Sequence, residues 1–197
     1  MNPPALEQTA ASTGYAPMMD PDTIRSEHLD LPSLSAEQLE ALLAGDVAPV
    51  AEATNATYSP EWLAENPRHL AYRARQLREN PAAQAWLVRP IVLRDDDRPV
   101  IGTINFHAPP NERGMVEIGY SLLPDYRGRG YAVEAVRALL SWAGRQPGVK
   151  LFRASVSPDN ERSQHLLGKL GFVQVGEQMD EEDGLELVLE RRAPVED

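Results

Sequence analysis

Two glycines and two arginines stand together in the segment "YRGRGYAVEA", which begins at residue 126 and leads into a stretch with helical periodicity. The N-terminus of a helix exposes unpaired N–H groups and the positive end of the helix dipole, so it binds phosphate oxygens well. Backbone N–H groups reach a pyrophosphate only where side chains leave room, which explains Gly128 and Gly130. Arg127 and Arg129 add charge that pairs with phosphate. The segment predicts a loop that binds the phosphates of a nucleotide-bearing cofactor; the alternative is a tight turn whose glycines serve geometry only.

The segment "MVEIGYSLL" places an acid, Glu117, in an otherwise apolar strand pattern. Alternation along a strand puts Glu117 on the face that also carries Gly119 and Ser121. If that face lines a cleft, the carboxylate is placed to accept a proton as a general base. If the face meets solvent, Glu117 is an outward residue paired with an arginine. The sequence leaves both interpretations open.

These residues need elements to position them, and the apolar pattern predicts the order β-α-α-β-β-β-α-β-α-β-β. The early part contains one strand over residues 23–31. A helix follows, with Ser35 as its N-cap and Gln38 completing a capping box. A second helical region covers residues 60–79 and is interrupted near Pro67.

Three strands come next, and the glycine loop connects the third of them to a helix over residues 130–145 and a buried strand, "KLFRASV". A strand, a helix and a strand in this order form a right-handed crossover between two parallel strands. A second helix, with Asn160 as its cap and Gly171 as its stop, precedes a final hairpin. The predicted fold class is therefore α/β (α+β by some definitions), a single domain built on a mixed central sheet flanked by helices.

Domain boundaries follow from composition. Residues 1–21 are rich in Pro, Ala, Ser and Thr and lack periodicity, so we expect a mobile N-terminal tail. Residues 22–192 are predicted to form the domain, and residues 193–197 a C-terminal tail. A chain of 197 residues is long enough for one domain with a proper core and short for two.

Charge and composition exclude several classes of function. The formal net charge of -11 argues against nucleic-acid binding, and it either favours a cationic partner or serves solubility alone. The chain has no cysteine, so it has neither a thiolate nucleophile nor a cysteine-ligated metal. No apolar run approaches the roughly 18 residues that span a bilayer, and the N-terminus lacks the pattern of a secretory signal. We therefore expect a cytoplasmic protein with no membrane contact. No metal is predicted, because the histidines lack ligand spacing: His28, His69, His107 and His165.

Two ordered motifs carry a resemblance to a known family. "RGRGYA" after "VEIGYSLLPDY", followed by "NERSQHLLGKLGF", resembles the GNAT superfamily of acetyl-coenzyme A dependent N-acetyltransferases, and most of all its ribosomal-protein-alanine and -serine acetyltransferase branch. The likeness covers about residues 100–178. It is weaker over residues 22–45, where His28 stands at a position commonly held by arginine. The resemblance implies an acyl-CoA N-acyltransferase fold in which the two parallel strands splay apart.

The resemblance also implies acetyl-coenzyme A as the co-substrate. The glycine loop would wrap its pyrophosphate, and the pantetheine arm would lie between the two parallel strands. Unpaired backbone groups at Leu122 and Leu123 would bond that arm, which Asn160 would also contact unless it serves only as a helix cap. The cofactor-binding residues implied in this way are Leu122, Leu123, Arg127, Gly128, Arg129, Gly130, Tyr131, Ala132 and Asn160.

For the chemistry, the resemblance implies Glu117 as the general base, directly or through water. Apart from the resemblance, His107 at a strand end could be a substitute base, the alternative being a structural or simply exposed histidine. Many relatives carry a tyrosine acid seven residues after the asparagine, but this chain has Leu167 there. The resemblance instead implies Ser163, whose hydroxyl can hydrogen-bond the departing thiolate. Tyr120 and Tyr126 are reserve donors.

The acceptor is predicted to be a primary amine, either a protein N-terminus (a basic peptide included) or a small amine. Tyr58 and Trp62 could line its pocket, although Trp62 also fits the apolar stripe of its helix. The alternatives are a non-catalytic acyl-coenzyme A sensor or interaction module, and an aminoglycoside-type acetyltransferase. A nucleotide-dependent phosphotransferase is the weakest alternative, because no Lys-Ser or Lys-Thr follows the glycines. A monomer or a homodimer is expected.

Overall fold

The computed structural model describes residues 23–65, 67–181 and 184–194. The predicted N-terminal tail, residues 1–21, lies outside them. Within the described residues, eight strands form one sheet in the spatial order β1-β2-β3-β4-β5-β6-β8-β7. The strands are β1 (Ile24–Arg25), β2 (Leu29–Leu31), β3 (Arg89–Leu93), β4 (Val100–Phe106), β5 (Met115–Leu122), β6 (Leu151–Val156), β7 (Val173–Asp180) and β8 (Gly184–Arg192). The helices are α1 (Ala36–Leu43), α2 (Ala48–Thr54), α3 (Pro60–Glu65), α4 (Pro67–Glu79), α5 (Tyr131–Gly144) and α6 (Glu161–Lys169).

The pairing of the strands confirms the mixed sheet and its crossover. Neighbouring strands run antiparallel, except that β5 and β6, joined through α5, are parallel. The parallel pairing ends at Glu117 and Arg153, whereas the two strands continue to Leu122 and Val156. The strands therefore part at Glu117 and leave a gap between their C-terminal ends, as expected for a splayed pair.

Apolar side chains form two clusters, one against each face of the sheet. One cluster packs α5 and α6 on the sheet through residues such as Val136 and Phe152. The other packs α1 to α4 and includes Leu70. Leu122 belongs to the first cluster and Leu123 to the second, as successive residues of an extended segment should. Because each buried aliphatic side chain contributes about 1.5–3 kcal/mol, these layers hold β5 and β6 where the strands no longer pair.

Tyr58 and Trp62 belong to the core and do not line an acceptor pocket. Trp62 is fully buried, and its Nε1 donates to the Gly102 carbonyl at 3.0 Å. Tyr58 meets Trp62 edge-on with ring centroids 5.2 Å apart, and its hydroxyl lies 3.2 Å from Thr54 Oγ1. Burial raises the pKa of Tyr58. Both rings fix the early helices to β4.

The N-terminal part of the domain differs from its prediction in two places. Residues 23–31 form two short strands, because Ser26 N–H donates to the Leu29 carbonyl at 2.9 Å and turns the chain back. Helix α2 was not predicted. Its signals are a proline in the first turn, Pro49, and Asn55 as a left-handed C-cap with φ of 47°.

At the other end of the chain, Ala193 was assigned to the C-terminal tail. It is buried in the core, and its N–H donates to the Lys150 carbonyl at 3.0 Å. Residues 195–197 lie outside the described residues. The packed part of the chain therefore continues through Ala193.

Candidate active site

The glycine loop lies where β5 leads through a short 3₁₀ turn, Pro124–Tyr126, into α5. Gly128 and Gly130 have φ values of 74° and 89°, in the left-handed region that favours glycine. Gly130 is the N-cap of α5, and no side-chain cap bonds the first-turn N–H groups. Apart from the glycine and its two chain neighbours, no heavy atom of the described residues lies within 4 Å of the position of a Cβ at either glycine. The loop presents bare backbone donors to open space, the arrangement that binds phosphate.

The two arginines of the loop differ in their contacts. Arg127 turns back onto β5, and its Nε donates to the Leu122 carbonyl at 2.8 Å. The guanidinium carbon of Arg129 lies 5.8 Å from the centroid of the Tyr126 ring. Both residues are exposed. They flank the loop with positive charge while remaining open to solvent.

The backbone at Leu122 and Leu123 differs from the expectation that both residues present unpaired groups. That expectation is wrong for Leu123, whose N–H donates to the Ile101 carbonyl at 2.9 Å and whose carbonyl accepts from Tyr126 N–H at 3.0 Å. Hydrogen bonds alternate along an antiparallel strand, so the N–H of Leu122 points away from β4 and toward the gap beside β6. A backbone contact to a ligand in the gap therefore rests on Leu122, while Leu123 anchors the start of the loop.

A chain of hydrogen bonds holds the carboxylate of Glu117. Ser155 Oγ, on β6, donates to Glu117 Oε1 at 2.5 Å. Gln178 Nε2, on β7, donates to Ser155 Oγ at 3.1 Å and to Glu186 Oε2, on β8, at 2.9 Å. The final hairpin is thereby connected to the carboxylate at the point where the parallel strands part.

The alternative role of Glu117, an outward residue paired with an arginine, does not fit these contacts. Arg153 lies opposite Glu117 on β6 but binds Glu190 at 2.6 Å. Glu117 and Gly119 are half-buried and Ser121 is exposed, so this face of β5 opens toward the C-terminal end of the strand. The carboxylate lies at the inner end of an open polar face.

A histidine on the same face adds a second proton acceptor. The backbone N–H of His107 donates to the Glu117 carbonyl at 2.8 Å, and Arg73 Nη1, on α4, donates to the His107 carbonyl at 2.8 Å. Although the residue as a whole is exposed, the protein packed around the ring lowers the pKa of His107, against the opposing effect of the Glu117 carboxylate. The imidazole is therefore neutral at neutral pH and can accept a proton.

The buried environment of His69, also on α4, predicts that the stability of the fold depends on pH. Its Nε2 is buried without a hydrogen-bond partner among the described residues, and burial, reinforced by the charge of Arg73, lowers the pKa of His69 to about 4. An unfolded histidine titrates near 6.5, so the unfolded chain binds a proton between these values that the folded chain does not. His69 therefore does not reduce the free energy of unfolding above pH 6.5, but it reduces that free energy progressively as the pH falls toward 4. We expect Tm to fall between pH 7 and pH 5, and His69→Gln to reduce that fall in thermal unfolding. An equal fall in Tm for the wild-type protein and for His69→Gln contradicts this prediction.

On the opposite face of β5, Tyr120 meets the first turn of α6. Asn160 caps this helix, because its Oδ1 accepts from Ser163 N–H at 3.1 Å. Tyr120 Oη is buried and outside hydrogen-bonding geometry with every described group. Burial raises the pKa of Tyr120, and the nearby Ser163 side chain offsets part of that rise. The two hydroxyl groups are thus neighbours beside the gap between β5 and β6.

Leu167, the position at which a tyrosine acid is common in relatives, is fully buried in the cluster that packs α5 and α6 on the sheet. The leucine is a packing residue and supplies no polar group. Any hydroxyl beside the gap must come from another position, and Tyr120 on β5 and Ser163 at the start of α6 are the ones that the structure brings together.

Sequence reasoning missed Ser155, Gln178 and Glu186. The sequence signal for Ser155 is a polar residue at an alternate position of the apolar segment "LFRASV". The contact with Glu117 depends on the parallel register of β5 and β6, which local pattern does not determine. The hairpin residues depend in turn on the place of β8 beside β6.

Near the glycine loop, His28 contacts the first turn of α5. Its backbone N–H donates to Glu134 Oε1 at 2.7 Å, and its Nδ1 lies 3.1 Å from Glu134 Oε2. Ser26 Oγ donates to the same carboxylate at 2.7 Å. These bonds lower the pKa of Glu134 against the opposing effect of its burial. The turn between β1 and β2 is thereby fixed to the helix that the loop begins.

Other features of the described residues bear on ligand classes. No group of three or more His, Asp or Glu side chains in that part of the chain is arranged to hold a metal ion. None of its helices is long and apolar enough to cross a membrane. A groove of about 610 Å³ lies at the opposite end of β6, lined by residues 144–151 and 192–194, and none of the candidate site residues lines it.

Comparison with known sequences identifies a family and several relatives. The family model described as Acetyltransferase (GNAT) domain matches residues 28–173. The chain is 37% identical over 83 residues to the uncharacterized N-acetyltransferase YjdG of Bacillus subtilis (strain 168), covering 42% of this chain and 49% of that protein. It is 30% identical over 82 residues to the [ribosomal protein uS5]-alanine N-acetyltransferase of Escherichia coli (strain K12), covering 41% of this chain and 42% of that protein. The matched part of the chain spans about half the length of these curated relatives.

A solved structure shows the same fold. The microcin C7 self-immunity acetyltransferase MccE, solved in complex with acetyl-CoA and AMP, aligns with a TM-score of 0.61 at 17% identity, over 88% of this chain and 98% of that chain. Likeness at this level of identity shows the fold alone. It confirms the predicted mixed α/β architecture.

Proposed function

The chain belongs to the GNAT acetyltransferase family, and on that premise we propose that it transfers an acetyl group from acetyl-coenzyme A to a primary amine. The amine attacks the thioester directly, through a tetrahedral intermediate. One observation carries the proposal: β5 holds the half-buried carboxylate of Glu117 where the gap opens, and the same strand leads past the gap into an uncapped glycine loop.

Acetyl-coenzyme A fits the geometry of the loop and the gap. Open space above Gly128 and Gly130 admits a pyrophosphate to the first N–H groups of α5. The pantetheine arm would lie between β5 and β6, and the bound thioester supplies the acetyl group. MccE, which shares the fold, was solved with acetyl-CoA, and this supports the choice of co-substrate. The residues proposed to contact it are Leu122, Arg127, Gly128, Arg129, Gly130, Tyr131, Ala132 and Asn160.

The acceptor must first lose a proton, because amines are mostly protonated at neutral pH and only the free amine attacks. We assign that proton to Glu117, directly or through a water molecule. Ser155 holds one oxygen of the carboxylate and leaves the other for the acceptor. His107, neutral at this pH, is the second group that can take the proton.

As the C–N bond forms, the thioester carbonyl becomes an oxyanion, which a backbone N–H in the gap stabilises. The C–S bond then breaks, and the departing thiolate takes the second proton of the attacking nitrogen, so that a neutral amide and the free thiol of coenzyme A remain. Ser163 donates a hydrogen bond to the thiolate sulfur, and the neighbouring Tyr120 hydroxyl, which is unbonded within the described residues, turns to donate to Ser163 Oγ as it does so. Since burial raises the pKa of Tyr120, this hydroxyl stays protonated and remains a donor.

The acceptor class is a primary amine, either a protein N-terminus or a small amine. The relative named for an alanine of ribosomal protein uS5 supports the N-terminus. The net charge of -11, together with Glu117 and Glu186 on the polar face, favours a cationic acceptor through electrostatic steering.

Tyr120→Phe tests the leaving-group side of this mechanism. We expect kcat to fall about tenfold, the value of one hydrogen bond, because Ser163 loses its supporting donor. Ser163→Ala should cost a similar factor, and the double variant little more, since the two hydroxyl groups act together. Steady-state release of coenzyme A measures all three. Tyr72→Phe, at an exposed site on α4, is the control, and equal kcat values for Tyr120→Phe and Tyr72→Phe contradict the role of Tyr120.

The proposal as a whole is tested by calorimetric titration with acetyl-coenzyme A, followed by mass spectrometry of an amine panel. Binding together with an acceptor that gains one acetyl group supports it. Binding with no acetylated acceptor in a panel of peptides, polyamines and aminoglycosides favours the acyl-coenzyme A sensor. Absence of binding contradicts both.

A further inference from the structure

The polar face that carries Glu117 also contains a buried amide to which the proposed chemistry gives no role. Asn105, on β4, pairs with Gly119 on β5, and the next pair along the ladder on this face joins His107 to Glu117. Paired residues of antiparallel strands point to the same side of the sheet. Asn105 and Glu117 are therefore diagonal neighbours on one face.

The amide of Asn105 lacks a partner. The residue is 4% exposed, and its Nδ2 makes no hydrogen bond within the described part of the chain. Thr103, two residues earlier on the same face, is also 4% exposed and its Oγ1 is likewise unbonded there. Folded proteins pair the large majority of their buried polar side-chain atoms, so two unbonded groups on one face indicate a partner from outside the chain.

Gly119 leaves the space beside this buried amide without a side chain. A Cβ at Gly119 would lie 3.1 Å from His107 Nε2 and 3.6 Å from Asn105 Oδ1, so any side chain there would fill the space between the imidazole and the amide. Exposure increases along β5 from the half-buried Gly119 to the exposed Ser121. A ligand can therefore enter over the backbone of β5 from the C-terminal end of the strand.

The spacing on the sheet limits what can bind both groups. Diagonal neighbours on antiparallel strands are about 7–8 Å apart. At that backbone spacing, one small group can bond both side chains. The N-terminal residue of a peptide is such a group, with its amine nitrogen at Glu117 and its carbonyl oxygen at Asn105.

We infer that Asn105 recognises an amide group next to the reacting amine, so that the acceptor is the α-amine of a peptide N-terminus rather than an alkyl polyamine or an amino sugar. A carboxamide donates to a carbonyl and accepts from an N–H, and a peptide group offers both. The inference rests on the proposed function, because it requires Glu117 to lie at the reacting amine. Asn105 would determine specificity and would leave the chemical step to Glu117.

Asn105→Leu tests the inference, since leucine is similar in size and removes both hydrogen-bonding groups. Two acceptors are compared: a tripeptide amide with a free N-terminus, and n-butylamine, which has no amide. We expect the variant to lose about tenfold in kcat/KM with the tripeptide, mainly through KM, and to be unchanged with n-butylamine. The variant should fold, because it replaces an unbonded buried amide with an apolar group, and Tm checks this. Asn80→Leu, at an exposed asparagine far along the chain from β4, is the control.

The outcomes separate this inference from the function on which it rests. Equal losses with both acceptors, or no loss with the tripeptide, overturn the role of Asn105. If the wild-type protein acetylates n-butylamine but not the tripeptide, the role of Asn105 is also overturned, while the proposed transferase activity still stands. If wild-type protein transfers to neither acceptor, nor to any amine of the wider panel, both proposals fail.

Discussion

Glu117→Gln lowers kcat about 10²–10⁴-fold in our account, the usual range for removal of a general base. Glutamine keeps the shape of the side chain and can still accept the hydrogen bond from Ser155. It cannot take the proton of the ammonium group. Binding of acetyl-coenzyme A should be unchanged, because the glycine loop is not altered. Initial rates of coenzyme A release across a range of pH give kcat and kcat/KM for both proteins.

The control for this prediction is Glu190→Gln, a second half-buried glutamate of the sheet that pairs with Arg153 on β6. It removes a carboxylate without touching the group to which we assign the proton. Full activity of Glu117→Gln with an unchanged pH profile would show that Glu117 is not the base, and His107 would then be the next residue to replace.

Gly130→Glu weakens binding of acetyl-coenzyme A by about 10²–10³-fold, because it places a carboxylate at the helix N-terminus that receives the pyrophosphate. Juxtaposed like charges at a binding site cost several kcal/mol, and the new side chain also occupies the open space above the loop. Calorimetric titration measures the change in Kd.

Gly148→Glu is a close match as the control. Gly148 has φ of 87° against 89° for Gly130, and neither position has a heavy atom within 4 Å of a new Cβ. Both variants therefore carry the same backbone strain, about 1–2 kcal/mol, and the same added charge. Only the position relative to the loop differs. An unchanged affinity in Gly130→Glu, or an equal loss in both variants, would mean that the loop does not bind the phosphates.

The fold could be predicted from the sequence where a local rule decides the structure. Ser35 and Gln38 form the expected capping box, and the two proline-led helices break at Pro67 as expected. The prediction of a single strand over residues 23–31 was wrong because a turn at Ser26 interrupts the apolar pattern. Helix α2 was missed because it has only seven residues and Val50 is its only large aliphatic side chain, which is too little to show a helical period.

In the candidate site too, features that depend on neighbouring residues could be predicted, and contacts between distant strands could not. The place of the glycine loop before α5 and the cap at Asn160 depend on residues close in sequence, and both are found where the sequence predicts them. The contacts of Glu117, in contrast, join β5 to β6 and the final hairpin across 38 residues and more. Ser155 and Asn105 become visible only once strand order and register are known, because a shift of one residue would turn each to the other face. The backbone bonds of Leu123 depend on the same register.

The most direct test of the central claim is the initial rate of thiol release from acetyl-coenzyme A, with and without a peptide that has a free N-terminus. The chain has no cysteine, so a thiol reagent reports only released coenzyme A. Our account predicts release that requires the peptide, saturates with its concentration and is lost in Glu117→Gln. Tight binding of acetyl-coenzyme A with no peptide-dependent release, or release at the same rate without any amine, would contradict it.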